Sequence, residues 1–169
     1  MPEPRRSVPE PSRPDMPGYD LADAGSGRGL LPWDWAAGRL ANAHNYWLAT
    51  AAQDGRPHLM PVWGLWLDGA FLFSTGARSR KARNLAGDPR CVVSTERADE
   101  AVIVEGVAEE VADPELLRRF VELYKTKYDW GIDPSQGGIY ALRPTVAFAF
   151  IENADDFPQT ATRWRFRDS

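Results

Sequence analysis

Ser79, Arg80 and Lys81 stand together in the stretch "STGARSRKARNL", residues 74–85, with Arg78 and Arg83 on either side. Four positive charges thus fall within six residues of a chain whose formal net charge is -4. Ser79 suits a helix N-cap, and Asp88-Pro89 closes the segment, so a short helix is expected to begin here. The first turn of a helix has unpaired N–H groups and a partial positive charge. Ser79 adds a hydroxyl, Arg80 a planar fork and Lys81 a point charge. That combination suits a small anionic ligand. Ser74 and Thr75 end the preceding strand-like run, and their hydroxyls can reach the same anion. Asn84, in the same helix, joins the candidate set. For Arg78 and Arg83 a solvated helix face explains the charge equally well.

Other chemistries are poorly provided for. One cysteine, Cys91, forms no disulfide within the chain and no cysteine-based zinc site. With only His44 and His58 besides, no metal centre is expected. The acidic balance argues against a nucleic-acid binder, which presents a basic face. No apolar run approaches the ~20 residues that span a bilayer, and the N-terminus lacks a signal peptide's apolar core. A cytoplasmic protein acting on a small molecule is the expectation.

Residues 1–29 are rich in proline, glycine and charge; six prolines between Pro2 and Pro17 forbid a helix. They read as a disordered tail or an extended arm lying on a partner subunit, with the folded domain at 30–169. "LLPWDWAAGRLANAHN" reads as a helix, with Pro32 suited to its first turn. Three strand-like runs follow, 46–53, 56–67 and 70–75, separated by Asp54-Gly55 and Asp68-Gly69. Asp-Gly between β-rich runs signals a type I′ hairpin, so an antiparallel meander is expected. "RCVVSTE" and "AVIVEGVAEEV" are further strands. "DPELLRRFVELYKTKY" is a helix capped by Asp113, with Pro114 at its first position. After a glycine-rich loop at 131–138, "IYALRP", "VAFAFIE" and "TRWRFR" supply the last strands. Many antiparallel strands with few helices point to a mainly β, α+β barrel with peripheral helices.

The order of hairpin, "SRK", "VIVEGVAEEV" and the late "TRWRF" resembles the split β-barrel flavin and deazaflavin oxidoreductases, the pyridoxamine 5′-phosphate oxidase-like family. The resemblance covers roughly residues 30–167. "GLLPWDWA" and "NYWLAT" are similar to an actinobacterial branch in which some members use reduced coenzyme F420, a deazaflavin, in late polyketide biosynthesis. The resemblance implies that Ser79, Arg80 and Lys81 hold the cofactor phosphate. It implies that "HLMPVWG" (Leu59, Met60, Pro61 and Val62 above all) lies along the ring, where a flat apolar wall with polar backbone groups is needed. Pro61 within a strand marks an edge or a distortion. It also implies a homodimer with cofactor sites at the interface, where Trp164 stacks on the cofactor, lines the substrate pocket, or packs in the core. Arg78 and Arg83 would then meet further negative charge, such as the coenzyme's glutamate tail.

The sequence departs from true pyridoxamine-phosphate oxidases, which place an arginine near Met60 and a phosphate-gripping lysine near Leu65. The C-terminal arginine–histidine motif is absent as well, so vitamin B6 oxidation is not expected. The reading is an F420-dependent oxidoreductase that delivers a hydride to an enone-like C=C bond of a hydrophobic small molecule. FMN in place of the deazaflavin, or a binding protein without catalysis, stay open as alternatives. No residue is assigned as catalytic; His58, Tyr46, Tyr124 and Tyr128 are the candidate proton donors.

Overall fold

The elements, in chain order, are β1 (Pro11–Ser12), α1 (Trp33–Asn42), β2 (Tyr46–Ala51), β3 (Pro57–Val62), β4 (Gly64–Leu67), β5 (Ala70–Gly76), α2 (Arg80–Gly87) and β6 (Arg90–Thr95). Next come β7 (Glu100–Glu110), α3 (Pro114–Tyr128), β8 (Gly137–Ile151), α4 (Phe157–Thr160) and β9 (Thr162–Arg165). The computed structural model describes residues 8–26 and 28–166. The first seven residues of the expected arm, Gly27, and residues 167–169, including the last arginine of "TRWRFR", lie outside the described residues.

Strand pairing among the described residues is antiparallel throughout. The main path runs β1-β9-β8-β7-β6-β2-β3, and β5 joins it through β8 while pairing with β4 on its other side. The long strand β8 holds the two parts together. Its first half pairs with β5, its second half with β9, and β7 runs along both. The change of neighbour coincides with a register shift at Glu105/Gly106, where Pro144 and Val146 oppose successive residues of β7 and Thr145 is left over. A bulge of this kind bends a strand and increases its twist. Thr145 is tied in by its hydroxyl, which donates to the Glu105 carbonyl at 3.2 Å, and by its carbonyl, which accepts from Phe166 N–H at 2.9 Å. Gly106 faces it because a Cβ there would run into the Arg143 carbonyl and the Leu142 side chain. The two separate strands expected around Pro144 are therefore one strand with a bulge.

Two cores flank β5. Leu40, Tyr46, Leu48, Phe71, Phe73, Val93, Val104 and Trp164 fill the barrel, which α1 closes. Leu65, Leu72, Phe120, Tyr124, Tyr128 and Ile139 form a second core under α3. With both faces covered, β5 is apolar at consecutive positions instead of alternating. Helices α2 and α3 begin as their sequences predict, whereas α1 starts at Trp33 with Pro32 just before it, not in its first turn. Asp113 accepts from Glu115 N–H at 3.0 Å and caps α3, and Ser79 accepts from Ala82 N–H at 3.1 Å and caps α2.

The expected 56–67 strand is two strands. β3 pairs with β2, β4 pairs with β5, and Trp63 lies between them. Hydrogen bonds around Gly64 hold this change of partner. The Tyr128 hydroxyl accepts from Gly64 N–H at 3.0 Å and lies 2.8 and 2.9 Å from the Gly64 and His44 carbonyls, with one proton to share between them. Lys127 Nζ donates to the Gly64 carbonyl at 3.1 Å and to the Tyr46 hydroxyl at 3.0 Å. The Tyr46 hydroxyl in turn donates to the Leu40 carbonyl at 2.5 Å. A side chain at position 64 would collide with the Phe71 ring and the Leu72 carbonyl, so only glycine fits. The two hairpin turns also differ from each other. Asp68 and Gly69 both have positive φ (52° and 74°), as type I′ requires. At the other turn only Gly55 is positive (80°), with Gly55 N–H bonded to the Ala52 carbonyl and Ala52 N–H to that of Arg56. That is a type I turn followed by a left-handed glycine, a correction to the type I′ expectation.

Burial lowers the Lys127 ammonium to about 8 from its ordinary 10.5, against a smaller upward pull from Glu96. Between these two pH values the unfolded chain holds a proton that the folded chain has released, so folding becomes more favourable as pH rises. We expect the stability difference between wild type and Lys127→Met to grow in favour of wild type from pH 8 to 10.5. Urea unfolding at half-unit pH steps measures it. A difference that stays flat across this window would show that Lys127 titrates normally.

Candidate functional site

A strand end and a helix start meet at the turn 76–79, where Ser79 N–H bonds to the Gly76 carbonyl at 2.9 Å. The turn brings the Thr75 and Ser79 hydroxyls within 2.8 Å of each other, and Ser79 Oγ is already committed to the Ala82 N–H. Helix α2 is anchored to the barrel by Asn84, whose amide donates to Thr50 Oγ1 at 2.9 Å in the interior. The exposed Arg80 and half-buried Lys81 therefore occupy the first turn, where no acidic residue stands. A helix dipole disfavours cations at this end. Neither Arg80, Lys81 nor Arg78 has a carboxylate within ion-pair distance among the described residues. An anion between them and the helix would relieve both costs.

A cavity of about 510 Å³ opens beside this turn. Ser74, Thr75, Gly76, Ser79 and Lys81 line one part; Pro61 and Val62 of β3 and then Asn45, Trp63 and Tyr124 line the rest. Gly76 has open space where a Cβ would stand. Strand β3 is the end of the sheet path, paired only with β2 among the described residues, which suits Pro61. The register sets Tyr46 against Val62, Leu48 against Met60 and Thr50 against His58. Strand alternation therefore puts His58, Met60 and Val62 on one face and Leu59 and Pro61 on the other. Loss of solvent and the nearby Arg80 and Lys81 charges hold the His58 imidazole below its ordinary 6.5. His58 thus senses the positive field of the α2 start.

At the other end Trp63 lies parallel to Tyr128, with ring centroids 4.6 Å apart and 6° between planes. Its indole N–H donates to Asn45 Oδ1 at 3.1 Å. The Asn45 amide donates to Glu96 at 2.8 Å, and Glu96 also accepts the His44 and Asn45 backbone N–H groups. These hydrogen bonds, Asn45's side chain first, hold the Glu96 carboxyl below its usual range. Tyr124 is buried, and burial raises its phenol above its usual value.

Seven of the residues singled out from sequence meet at the cavity: Pro61, Val62, Ser74, Thr75, Ser79, Lys81 and, among the candidate proton donors, Tyr124. Arg80 stands beside them on the exposed side of α2, while Leu59 and Met60 are exposed on β3, outside the cavity lining. Asn84 and Trp164 are elsewhere. Asn84 serves the α2–β2 contact, and Trp164 is fully buried in the barrel, edge-on to Trp33 at 5.3 Å. Its position is set by β9, which pairs with β8 of the same chain and with β1. The described part of the arm lies on its own chain as well. Pro11 and Ser12 pair with Trp164 and Arg163, and the Arg13 guanidinium donates to the Gln159 and Ala161 carbonyls at 2.9 and 2.6 Å. Asn45, Trp63 and Gly76 were not assigned to the site from sequence. Trp63 had a signal, since it sits at the end of "HLMPVWG", whereas Asn45 had none.

No functionally curated protein matches this chain. Among solved structures it is similar to a conserved hypothetical protein from Mycobacterium tuberculosis, at 27% identity, covering 69% of this chain and 82% of that one with a TM-score of 0.61. It is similar in fold to an F420 reductase (24% identity, 65% and 93% coverage, TM-score 0.54) and to an FAD-binding protein from Mesorhizobium loti (17%, 79% and 94%, 0.56). Among the described residues no helix is long and apolar enough to cross a membrane. Residues 36–151, well over half of the chain, match the sequence profile of pyridoxamine 5′-phosphate oxidase. With that match and a split barrel flanked by helices, the chain belongs to the pyridoxamine 5′-phosphate oxidase family.

Proposed function

We propose that the protein is an oxidoreductase that binds reduced coenzyme F420 and reduces an activated C=C bond of a hydrophobic small molecule. The observation that carries the binding half is the first turn of α2, where Arg80 and Lys81 stand against the helix dipole without carboxylate partners among the described residues. Lys81, the Ser79 and Thr75 hydroxyls and the first-turn N–H groups would hold a phosphate. The ring would lie along Pro61 and Val62, where β3 presents its free edge. When bound, the deazaflavin supplies a hydride; the chain's part is to orient the ring and keep water from its face. The likeness to an F420 reductase supports this choice of cofactor over FMN. So does Met60, which stands where pyridoxamine-phosphate oxidases are expected to carry an arginine. Leu65, at the other expected cationic position, is buried under α3, outside the cavity lining.

We further propose a homodimer. Trp47 and Leu59 are 43% and 56% exposed, and the register places them with Ala49 and Pro61 on one face of β2–β3. That face adjoins the cavity at Pro61, so a second subunit seated on it would complete the site's wall.

Titration of the purified protein with F420 and with FMN tests the cofactor. Lys81→Ala is expected to weaken F420 binding by roughly ten- to hundredfold, the cost of about 1.5–3 kcal/mol for a lost charge-assisted contact. His58 reports the same event without turnover. A bound anion offsets the Arg80 and Lys81 charges, so its NMR titration midpoint should rise toward 6.5 when cofactor is added. The bound state then takes up a proton, and affinity should increase as pH falls through this range. An unmoved midpoint, with unchanged affinity in Lys81→Ala, would place the phosphate elsewhere.

Met60→Arg should raise FMN affinity by about 1–2 kcal/mol, one charged hydrogen bond to a partly solvated monoester. The F420 phosphate, a diester, should gain less. Equal gains for both, or none for FMN, would mean that position 60 does not reach the phosphate. For the assembly, sedimentation at micromolar concentration should give a dimer, and Leu59→Glu should give a monomer. A monomeric wild type would remove the two-subunit site.

A further inference from the structure

The cavity has two chemically different ends. One is hydroxylic and basic, at Thr75, Ser79 and Lys81; the other is aromatic, at Trp63 and Tyr124. The aromatic end is rigidly built. Trp63 is stacked on Tyr128 at 4.6 Å, and its N–H is held by Asn45 at 3.1 Å. Tyr128 is fixed by the Gly64 and His44 backbone groups, with the His44 ring edge-on to it at 5.2 Å. Asn45 is fixed by Glu96. Yet Trp63 remains 37% exposed while lining the cavity. Tyr128 covers one indole face, so the exposed surface belongs to the other face and its edge. An indole locked on Tyr128, with Tyr124 and His44 tilted toward it at 6.3 and 6.1 Å and part of its surface still exposed, offers stacking area with little rotamer entropy to lose. Among the described residues no cation lines this end, and the Asn45 side-chain carbonyl and one of its two N–H groups are already engaged. What it favours is a flat, uncharged ring system.

We propose that Trp63 is the platform on which the substrate stacks, and that it selects planar fused-ring carbonyl compounds over single flexible rings. The inference rests on the cofactor reading above, which assigns the opposite end of the cavity to the cofactor phosphate.

The test uses the full-length protein, with and without added F420, and two probes. One is 1-hydroxyanthraquinone, a planar three-ring ketone; the other is 2-cyclohexenone, a single puckered ring. Wild type should bind the tricycle at least tenfold more tightly than cyclohexenone. Trp63→Leu should lose about tenfold in tricycle affinity, with cyclohexenone and F420 dissociation constants changed less than twofold. Trp63→Phe, which keeps the stack on Tyr128 and guards against a folding defect in the leucine variant, should lose about threefold. Quenching of tryptophan fluorescence by the bound tricycle should also diminish in Trp63→Phe. No preference for the tricycle in wild type, or unchanged tricycle affinity in Trp63→Phe and Trp63→Leu, would overturn the platform. A loss of F420 affinity equal to or larger than that of the tricycle would overturn it too, by making Trp63 a cofactor contact. Tricycle binding that depends on Trp63, in a protein that takes up neither F420 nor FMN, would support the platform and refute the cofactor reading instead.

Discussion

At Trp63 the chain leaves one strand partner and takes another, and the hydrogen bonds around Gly64 keep that exchange in register. Gly64 spends its N–H on Tyr128 and its carbonyl on Tyr128 and Lys127. In a regular strand these groups would bond to a neighbouring strand; here α3 supplies the partners. The arrangement needs Tyr128 to arrive from the last turn of α3, Lys127 to bury half its length, and position 64 to lack a side chain. Two neighbouring residues of α3 thus fix both backbone groups of Gly64. That residue separates β3, whose outer edge is unpaired among the described residues, from β4, and leaves Trp63 between them as a cavity wall.

Electrostatics at the second end of the cavity work in the opposite sense. The Gly64 region is closed, each backbone group being satisfied within the chain. The first turn of α2 is open, with cations set against the dipole and a hydroxyl pair that keeps one proton to donate. Stability alone would favour aspartate or glutamate at positions 80 and 81. A local choice that contradicts the helix's own preference, beside a cavity, is what a binding site requires of a fold that is otherwise consistent.

Much of this was legible because it is local in sequence. The Ser79 cap, the capped helix α3 and the Asp68-Gly69 turn each depend on residues within a few positions of one another. The break at Trp63 was not legible, since "RPHLMPVWGLWL" carries no turn pair; Pro61 marks only an edge or a distortion, and Gly64 is read correctly only with Phe71 and Tyr128 beside it. Thr145 is similar: a bulge is set by the opposing strand, and from β8 alone Pro144 looks like an end. The short strand β1 and helix α4 were hidden by proline-rich and polar sequence that tertiary contacts hold in place. At the site, the anion end was visible as one segment. The aromatic end draws Asn45, Trp63 and Tyr124 from three segments, and only folding brings them together.

Strand β3 ends the sheet path with prolines at 57 and 61, and β1 ends it on the far side with Pro11 in a strand of two residues. A proline cannot donate to a neighbouring strand, and a two-residue strand offers little template. Both ends of the main sheet path are therefore poor seeds for cross-chain β-pairing. The protein can leave the edge beside its cavity uncovered, as ligand access demands, without making that edge a starting point for aggregation.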